Sequence, residues 1–313
     1  MRNNSRSKNL VSTSFLSKVR NIIHKFLLFI WWGVRICWYI FQRVFLIAFL
    51  TFLTVGLAWW LSQSPSNHRD WEELDRELPQ ITLSGSSVSI KNIRNHLWQS
   101  DKEFTPQYID DVYNIDDIER LYYVITPFGD SDGPAHTMFS FSFSGGKHLV
   151  ISPEIRKERG ESFSAINGIL NKYELQYVIG TESDVIKVRT NYRKNEVYTY
   201  PIKTEKIKIQ QLFRSMLIRA QKLEKEPEFY NTLWNNCATS VLMHANALRT
   251  IKLTAGAYTL LPSHSDQIVY EAGLIDTELP LPEARKYYRI DERARSLESS
   301  DGDFSSIIRQ TIR

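Results

Sequence analysis

Cys237, in the run Asn235-Asn236-Cys237-Ala238-Thr239, is one of two cysteines in the chain and the only one outside its apolar N-terminal stretch. The residues around it open a helix-like segment over 236–248, so the thiol falls at a helix start. Unpaired N–H groups and the helix dipole favour the thiolate there. About a hundred residues upstream, His136 begins the alternating run His136-Thr137-Met138-Phe139-Ser140-Phe141-Ser142-Phe143. A strand-borne imidazole is a suitable base for a thiol, and the pair points to nucleophilic acyl transfer through a covalent thioester.

Strand alternation sorts the surroundings of His136. Thr137, Phe139, Phe141 and Phe143 share one face, which reads as core; His136, Met138, Ser140 and Ser142 share the other, where small side chains leave room for a packed helix or a substrate. A base of this kind is oriented by a third polar group. The adjacent strand is expected at 148–152, and the first acid beyond it is Glu154, the candidate for that role beside a bland reading as a solvent-exposed carboxylate. The backbone N–H of Cys237, aided by Asn236, is the candidate oxyanion donor. His244 lies seven residues after Cys237, roughly 10 Å along a helix and too far for a hydrogen bond. His264 is the second-choice base. No pair of Cys or His stands at ligand spacing and no Gly-rich phosphate loop occurs, so neither a metal nor another cofactor is expected.

Two kinds of element must hold these residues. With 42% apolar and 24% charged residues, the 313-residue chain is globular rather than disordered. Its net charge of +4 is unevenly spread. Residues 1–62 hold eight Lys/Arg and no acid, which leaves 31 basic against 35 acidic residues in the rest. The body therefore offers no basic footprint for nucleic acid. Residues 44–62 are 19 uncharged residues, about 28 Å of helix, enough to span a bilayer. The basic flank places residues 1–43 in the cytoplasm and the body outside it. The stretch 22–41 carries Arg35, which costs about 2.5–3.5 kcal/mol at mid-membrane, and is expected to lie in the interface. A two-span hairpin is the rival.

Residues 63–80 read as a linker with a short helix near 71–77. Strands are expected at 81–83, 88–93, 121–126, 136–143, 148–152, 185–189 and 197–202, with turns at 85–86, 129–133 and 145–146. Helices are expected at 164–173 and, on a clear apolar stripe, at 206–225. Residues 81–282 thus form one α+β domain, an antiparallel sheet covered by helices, and 283–313 a polar tail with a short helix and a loose end.

Five stretches carry a resemblance: Ile90-Lys91-Asn92-Ile93-Arg94-Asn95, Gly133-Pro134-Ala135-His136-Thr137, Ser152-Pro153-Glu154-Ile155-Arg156-Lys157-Glu158, Arg189-Thr190-Asn191-Tyr192-Arg193 and Phe229-Tyr230-Asn231-Thr232-Leu233-Trp234-Asn235-Asn236-Cys237. In order and kind they resemble the Lnb N-terminal periplasmic domain family, from about residue 69 to 274. The resemblance implies a circularly permuted papain-like fold, of NlpC type, in which the His strand precedes the Cys helix. It implies N-acylation of bacterial lipoproteins through an essential Cys and His, which fall on Cys237 and His136, and it brings Asn191, Tyr192 and Arg193 forward as substrate-binding candidates. Ala238 stands where a hydroxyl residue is frequent, and the chain ends in polar sequence without a C-terminal transmembrane bundle. The resemblance therefore speaks more for fold and catalytic pair than for lipoprotein acylation. The expected protein is a thiol-dependent acyltransferase or hydrolase at the outer face of a bacterial inner membrane. Its partners are membrane lipid and a lipoprotein or peptidoglycan substrate. A cell-wall peptide amidase and a non-catalytic envelope scaffold are the alternatives.

Overall fold

The computed structural model describes residues 5–128, 133–247, 249, 252–253, 262–296 and 303–310. It divides into two compact units, Met1–Gln63 and Ser64–Arg313. The first is a single helix, α1 (Ser5–Leu61). Within it Ser17–Leu61, 45 residues, is the one helix among the described residues long and apolar enough to cross a membrane. At about 1.5 Å per residue it exceeds the ~30 Å hydrocarbon core by more than twofold. The break expected between an interfacial stretch and the span is absent, and no hairpin forms. No proline interrupts the helix, and Arg35 and Arg43 lie over the rings of Trp31 and Tyr39 at 4.6 and 5.0 Å.

The second unit is built on an eight-stranded sheet. β1 (Gln80–Ser84) and β2 (Ser87–Arg94) form a hairpin, and β3 (Leu97–Trp98) and β4 (Phe104–Thr105) pair apart from the sheet. β5 (Tyr108–Asn114) returns along β2, and β6 (Ile118–Pro127), β7 (Ala135–Phe143) and β8 (His148–Arg156) make a meander. β9 (Glu174–Gly180) and β10 (Tyr198–Pro201) complete the order β1-β2-β9-β8-β7-β6-β10, with β5 on β2. The sheet is mixed rather than antiparallel throughout, because β2 meets β9 in parallel at Arg94 and Gly180. Gly180 permits that approach: a Cβ there would stand 3.0 Å from the Arg94 carbonyl and 2.7 Å from the Val185 side chain.

Period-two alternation gives the sheet two buried faces. Ile125, Phe139, Phe141, Ile151, Tyr177 and Ile179 point to one side, under α4 (Lys206–Lys225) and α5 (Cys237–Ala247). Helix α4 buries Ile209, Leu212, Phe213, Met216, Leu217, Ala220 and Leu223, the stripe its sequence predicts. Val124, Met138, Val150 and Val178 point to the other side. That face is covered by α3 (Glu182–Val185), α8 (Asp291–Ser296) and α9 (Phe304–Ile307).

Several elements differ from expectation. The strand expected at 185–189 is instead the end of α3 and a π-helical turn, Val188–Tyr192. Tertiary anchors override its β-branched composition: Asp184 accepts from Arg94 Nε, the His96 N–H and Trp98 Nε1 at 3.0, 2.9 and 2.8 Å. Helix α2 (Ala165–Ile169) stops short of 173, and β9 follows, unforeseen because the buried Glu174 and Gln176 break its apolar pattern. The expected linker is tied to the body: Asn67 donates to the last carbonyls of α4 at Leu223 and Glu224, and Arg156 stacks on Trp71 at 4.1 Å. A 3-10 turn, Glu73–Asp75, takes the place of its short helix. The expected loose tail is likewise part of the fold, since Phe304 and Ile308 sit in the second core and Arg309 pairs with Glu182 at 2.6 Å. Residues 129–132 of the predicted turn and Leu248 of the predicted helix lie outside the described residues.

Candidate active site

β7 and β8 pair from Ser142 and His148 up to Phe139 and Ile151, and there the pairing stops. In that register Met138 would next oppose Ser152, and then Thr137 would oppose Pro153, and proline has no N–H to give. β8 continues on β9 alone, so β7 and β8 part over their last residues. Into this opening come Cys237, at the N-terminus of α5, and His136, at the start of β7.

A chain of contacts fixes the imidazole. His136 Nε2 lies 2.6 Å from Ser152 Oγ, and the Ser152 hydroxyl donates to Glu154 Oε1 at 2.8 Å. Glu154 Oε1 is also 3.4 Å from His136 Nε2 and accepts from Arg189 Nη2 at 3.0 Å. With Ser152 donating onward to Glu154, Nε2 carries the proton that Ser152 accepts, and Nδ1 is the ring nitrogen left to meet the thiol. Ser152 and Glu154 share a face because they are two residues apart on one strand.

The electrostatics follow from these neighbours. Burial alone would raise the Cys237 pKa. The hydrogen bond and charge of His136, with the N–H groups of Thr137 and Ala238, outweigh it and bring the thiol below its ordinary 9.0. Burial likewise works to lower the His136 pKa, and the hydrogen bonds to Cys237 and Glu154 raise it instead above 6.5. Desolvation pushes the Glu154 carboxyl up; Arg189 and then His136 hold it well below the usual carboxylate range. As a thiol, Cys237 Sγ donates to the Ala135 carbonyl at 3.9 Å. The Thr137 N–H, beyond the last paired residues of β7 and β8, also reaches Cys237 and favours the thiolate.

Other candidates are placed elsewhere. Asn236 is the cap of α5: its Oδ1 accepts from the Thr239 N–H at 2.9 Å and its Nδ2 donates to the Thr232 carbonyl at 2.8 Å, so its amide is committed to structure. Asn191 is buried and donates to the Ala294 carbonyl at 3.1 Å, anchoring α8 rather than facing the thiol. Tyr192 is half-buried at the end of the π-helical turn. Arg193 is exposed, with its guanidinium 5.8 Å from the Trp98 ring; desolvation first, and then the Arg189 charge, depress its pKa to about 10. His244 is a core histidine held by Tyr177 and Ser215 at 2.9 and 2.7 Å, and burial keeps it neutral with a pKa of about 4. His264 lies against Arg285, at 3.4 Å. Sequence reasoning missed Ser152 and the pairing role of Arg189. The first was signalled by its spacing from Glu154, the second only by its place in the 189–193 stretch. Among the described residues no group of three His, Cys, Asp or Glu is placed to hold a metal ion.

The site is thus a thiol–imidazole pair, a cysteine at a helix start beside a strand histidine, in a mixed α+β domain preceded along the chain by one apolar helix long enough to cross a membrane. The chain matches the family model of the Lnb N-terminal periplasmic domain over residues 104–269, more than half its length, and belongs to that family. The match starts and ends inside the span on which the motifs carry the resemblance. Together with α1, it describes a single-pass membrane protein with a periplasmic domain. No curated protein and no solved structure matches the chain.

Proposed function

We propose that the protein is a thiol-dependent acyltransferase or hydrolase acting on lipid or lipoprotein acyl groups at the outer face of the inner membrane. The observation that carries this reading is the continuous relay from Cys237 through His136 and Ser152 to Glu154 and Arg189. A structural cysteine has no use for an oriented imidazole whose far side is fixed by an ionised carboxylate. A His strand ahead of a Cys helix, with a polar group on the far ring nitrogen, is the arrangement of a circularly permuted papain-like protein, and we assign the domain to that fold.

The chemistry follows in two halves. The Cys237 thiolate attacks an acyl carbonyl carbon, and the oxyanion that forms is received by the Cys237 N–H, which has no partner within α5. Collapse breaks the bond to the leaving alcohol or amine, which takes the proton held on His136 and departs, leaving a thioester. An incoming amine or water then gives its proton to His136, attacks the thioester and releases the thiolate. Arg189, Glu154 and Ser152 are positioning residues that act through the ring. A membrane anchor raises the effective concentration of bilayer-held substrate at the site, which favours lipid or lipoprotein over soluble substrates.

The test is intact-mass and peptide mass spectrometry of Cys237 in protein taken from membranes and quenched in acid. A long-chain acyl thioester on Cys237, absent in His136→Ala, is the expected result. A peptidyl adduct would transfer the same machinery to cell-wall amides. An unmodified thiol under turnover with every candidate acyl donor would leave a non-catalytic scaffold.

A further inference from the structure

His136 and Met138 share one face of β7, whereas a cavity lies on the opposite face of the sheet, under α4 and α5. It measures about 510 Å³, within the roughly 300–1,000 Å³ of small-ligand sites. One wall is α5 itself, through Ala238, Val241, Leu242 and Ala245; Phe139 of β7 and Leu212 of α4 face it. Ala238 follows the nucleophile directly, and Val241, Leu242 and Ala245 continue the same helix for two turns, so the cavity runs along α5 away from Cys237. Tyr123 also lines it, with its hydroxyl 2.6 Å from Ser265 Oγ. One end of the cavity thus reaches Ala238, the residue next to the nucleophile.

Among the described residues its lining is mostly aliphatic and aromatic, and the charged ones are one acid, Glu205, against three bases, Lys203, Lys208 and Arg249. Lys203 and Glu205 are exposed, and Lys208 and Arg249 half-buried, so the charge sits at the rim and the apolar surface inside. An apolar trough that reaches the residue beside a nucleophile, with a net positive mouth, suits a hydrocarbon chain with a polar or anionic head. A peptide would leave its amides unpaired against Phe139, Leu212 and Val241. The same chain carries a 45-residue apolar helix that holds it to a bilayer, where acyl chains are the abundant apolar ligand.

We infer that this cavity is the acyl-chain site: one hydrocarbon chain of the substrate lies along α5, with its carbonyl at Cys237 and its far end between α4, α5 and α6 (Ser265–Glu271), and the size of residue 245 limits the chain length accepted. This rests on the acyl-transfer reading above and adds to it the place where the chain lies and the residue that limits its length. Small residues at 238 and 245 keep the trough open on the face of α5 that would otherwise close it.

The experiment uses the full chain as Cys237→Ser in nanodiscs doped with a palmitoyl lipid bearing a terminal diazirine, so that capture needs binding and not turnover. After irradiation, peptide mapping should place label on α5 and β7 as well as on α1, which contacts bulk lipid and serves as an internal standard. Ala245→Trp grows into the cavity rather than into packed core. It should lower the α5 and β7 label at least tenfold relative to α1 and leave alkylation of Cys237 by a small reagent unchanged in a Cys237-bearing copy. Label confined to α1, or α5 label indifferent to Ala245→Trp in a protein with unchanged circular dichroism, would overturn the chain site. The two readings fail separately: a reactive thiol without chain capture removes only this site, whereas chain capture beside an inert thiol removes only the catalysis.

Discussion

At the scale of single residues, Glu154 is the group on which both halves of the site depend, since His136 and Ser152 touch it from one side and Arg189 from the other. Glu154→Gln keeps its shape and removes its charge. It should lower kcat/KM by about 10–100-fold while Cys237 stays alkylatable, as in a site whose base is present and less firmly held. Ser152→Ala should be milder, because Glu154 is itself within 3.4 Å of the ring. Arg189→Met leaves a buried carboxylate without its partner and should cost about 3–5 kcal/mol, read as a lowered denaturation midpoint. The pair and its orienting acid were legible in the sequence because chemistry restricts residue type: a thiol at a helix start, an imidazole on a strand, an acid one strand away. Ser152 was overlooked because serine on a strand is common; its spacing from Glu154 put it on the right face, and only its distance to His136 gives it a role.

At the scale of elements, the segment after the membrane helix and the C-terminal helices were the least legible, for one physical reason. Their sequences are polar, and their burial comes from partners far along the chain. Glu174 illustrates it: desolvation raises its pKa to about 7, although the Ser66 N–H and Arg69 both contact it, at 3.1 and 3.0 Å. The folded chain therefore holds a proton on Glu174 between the ordinary 4.5 and about 7 that the unfolded chain does not. Stability from this group falls as pH rises through that window. Glu174→Gln should flatten that part of the pH–stability curve, measured by urea denaturation at pH 5, 6 and 7. Parallel curves for variant and parent would show that the group does not titrate as argued. Gly168 offers a second test. A Cβ at that position would run into Thr232 Oγ1 and the Tyr230 ring, which lead into the loop before Cys237. Gly168→Ala should cut turnover more than it lowers the melting temperature.

At the scale of the whole molecule, composition alone separated a basic, apolar N-terminus from an acidic body, and the two units divide after Gln63. The α+β class and helix α4 followed from periodicity. The parallel contact of β2 with β9 did not, because the chain meets itself there across 86 residues, from Arg94 to Gly180, with only a glycine to mark the place. Topology is open to direct test. A phosphatase reporter fused after Arg313 should be active outside the cytoplasm, as a periplasmic domain behind a single span requires; an active cytoplasmic reporter would contradict it.

The central claim is that Cys237 and His136 form a thiolate–imidazolium pair. The most direct measurement is the rate of Cys237 alkylation against pH, read on the Cys237 peptide in the parent and in His136→Ala. In the parent, the rate should rise to its plateau well below the ordinary thiol value of 9.0, because the imidazolium and two N–H groups hold the thiolate against burial. In His136→Ala, burial loses its chief opponent, and the rise should move to higher pH, toward or beyond 9.0. Coincident profiles, both rising near or above 9.0 in folded proteins, would contradict the pair and the function built on it.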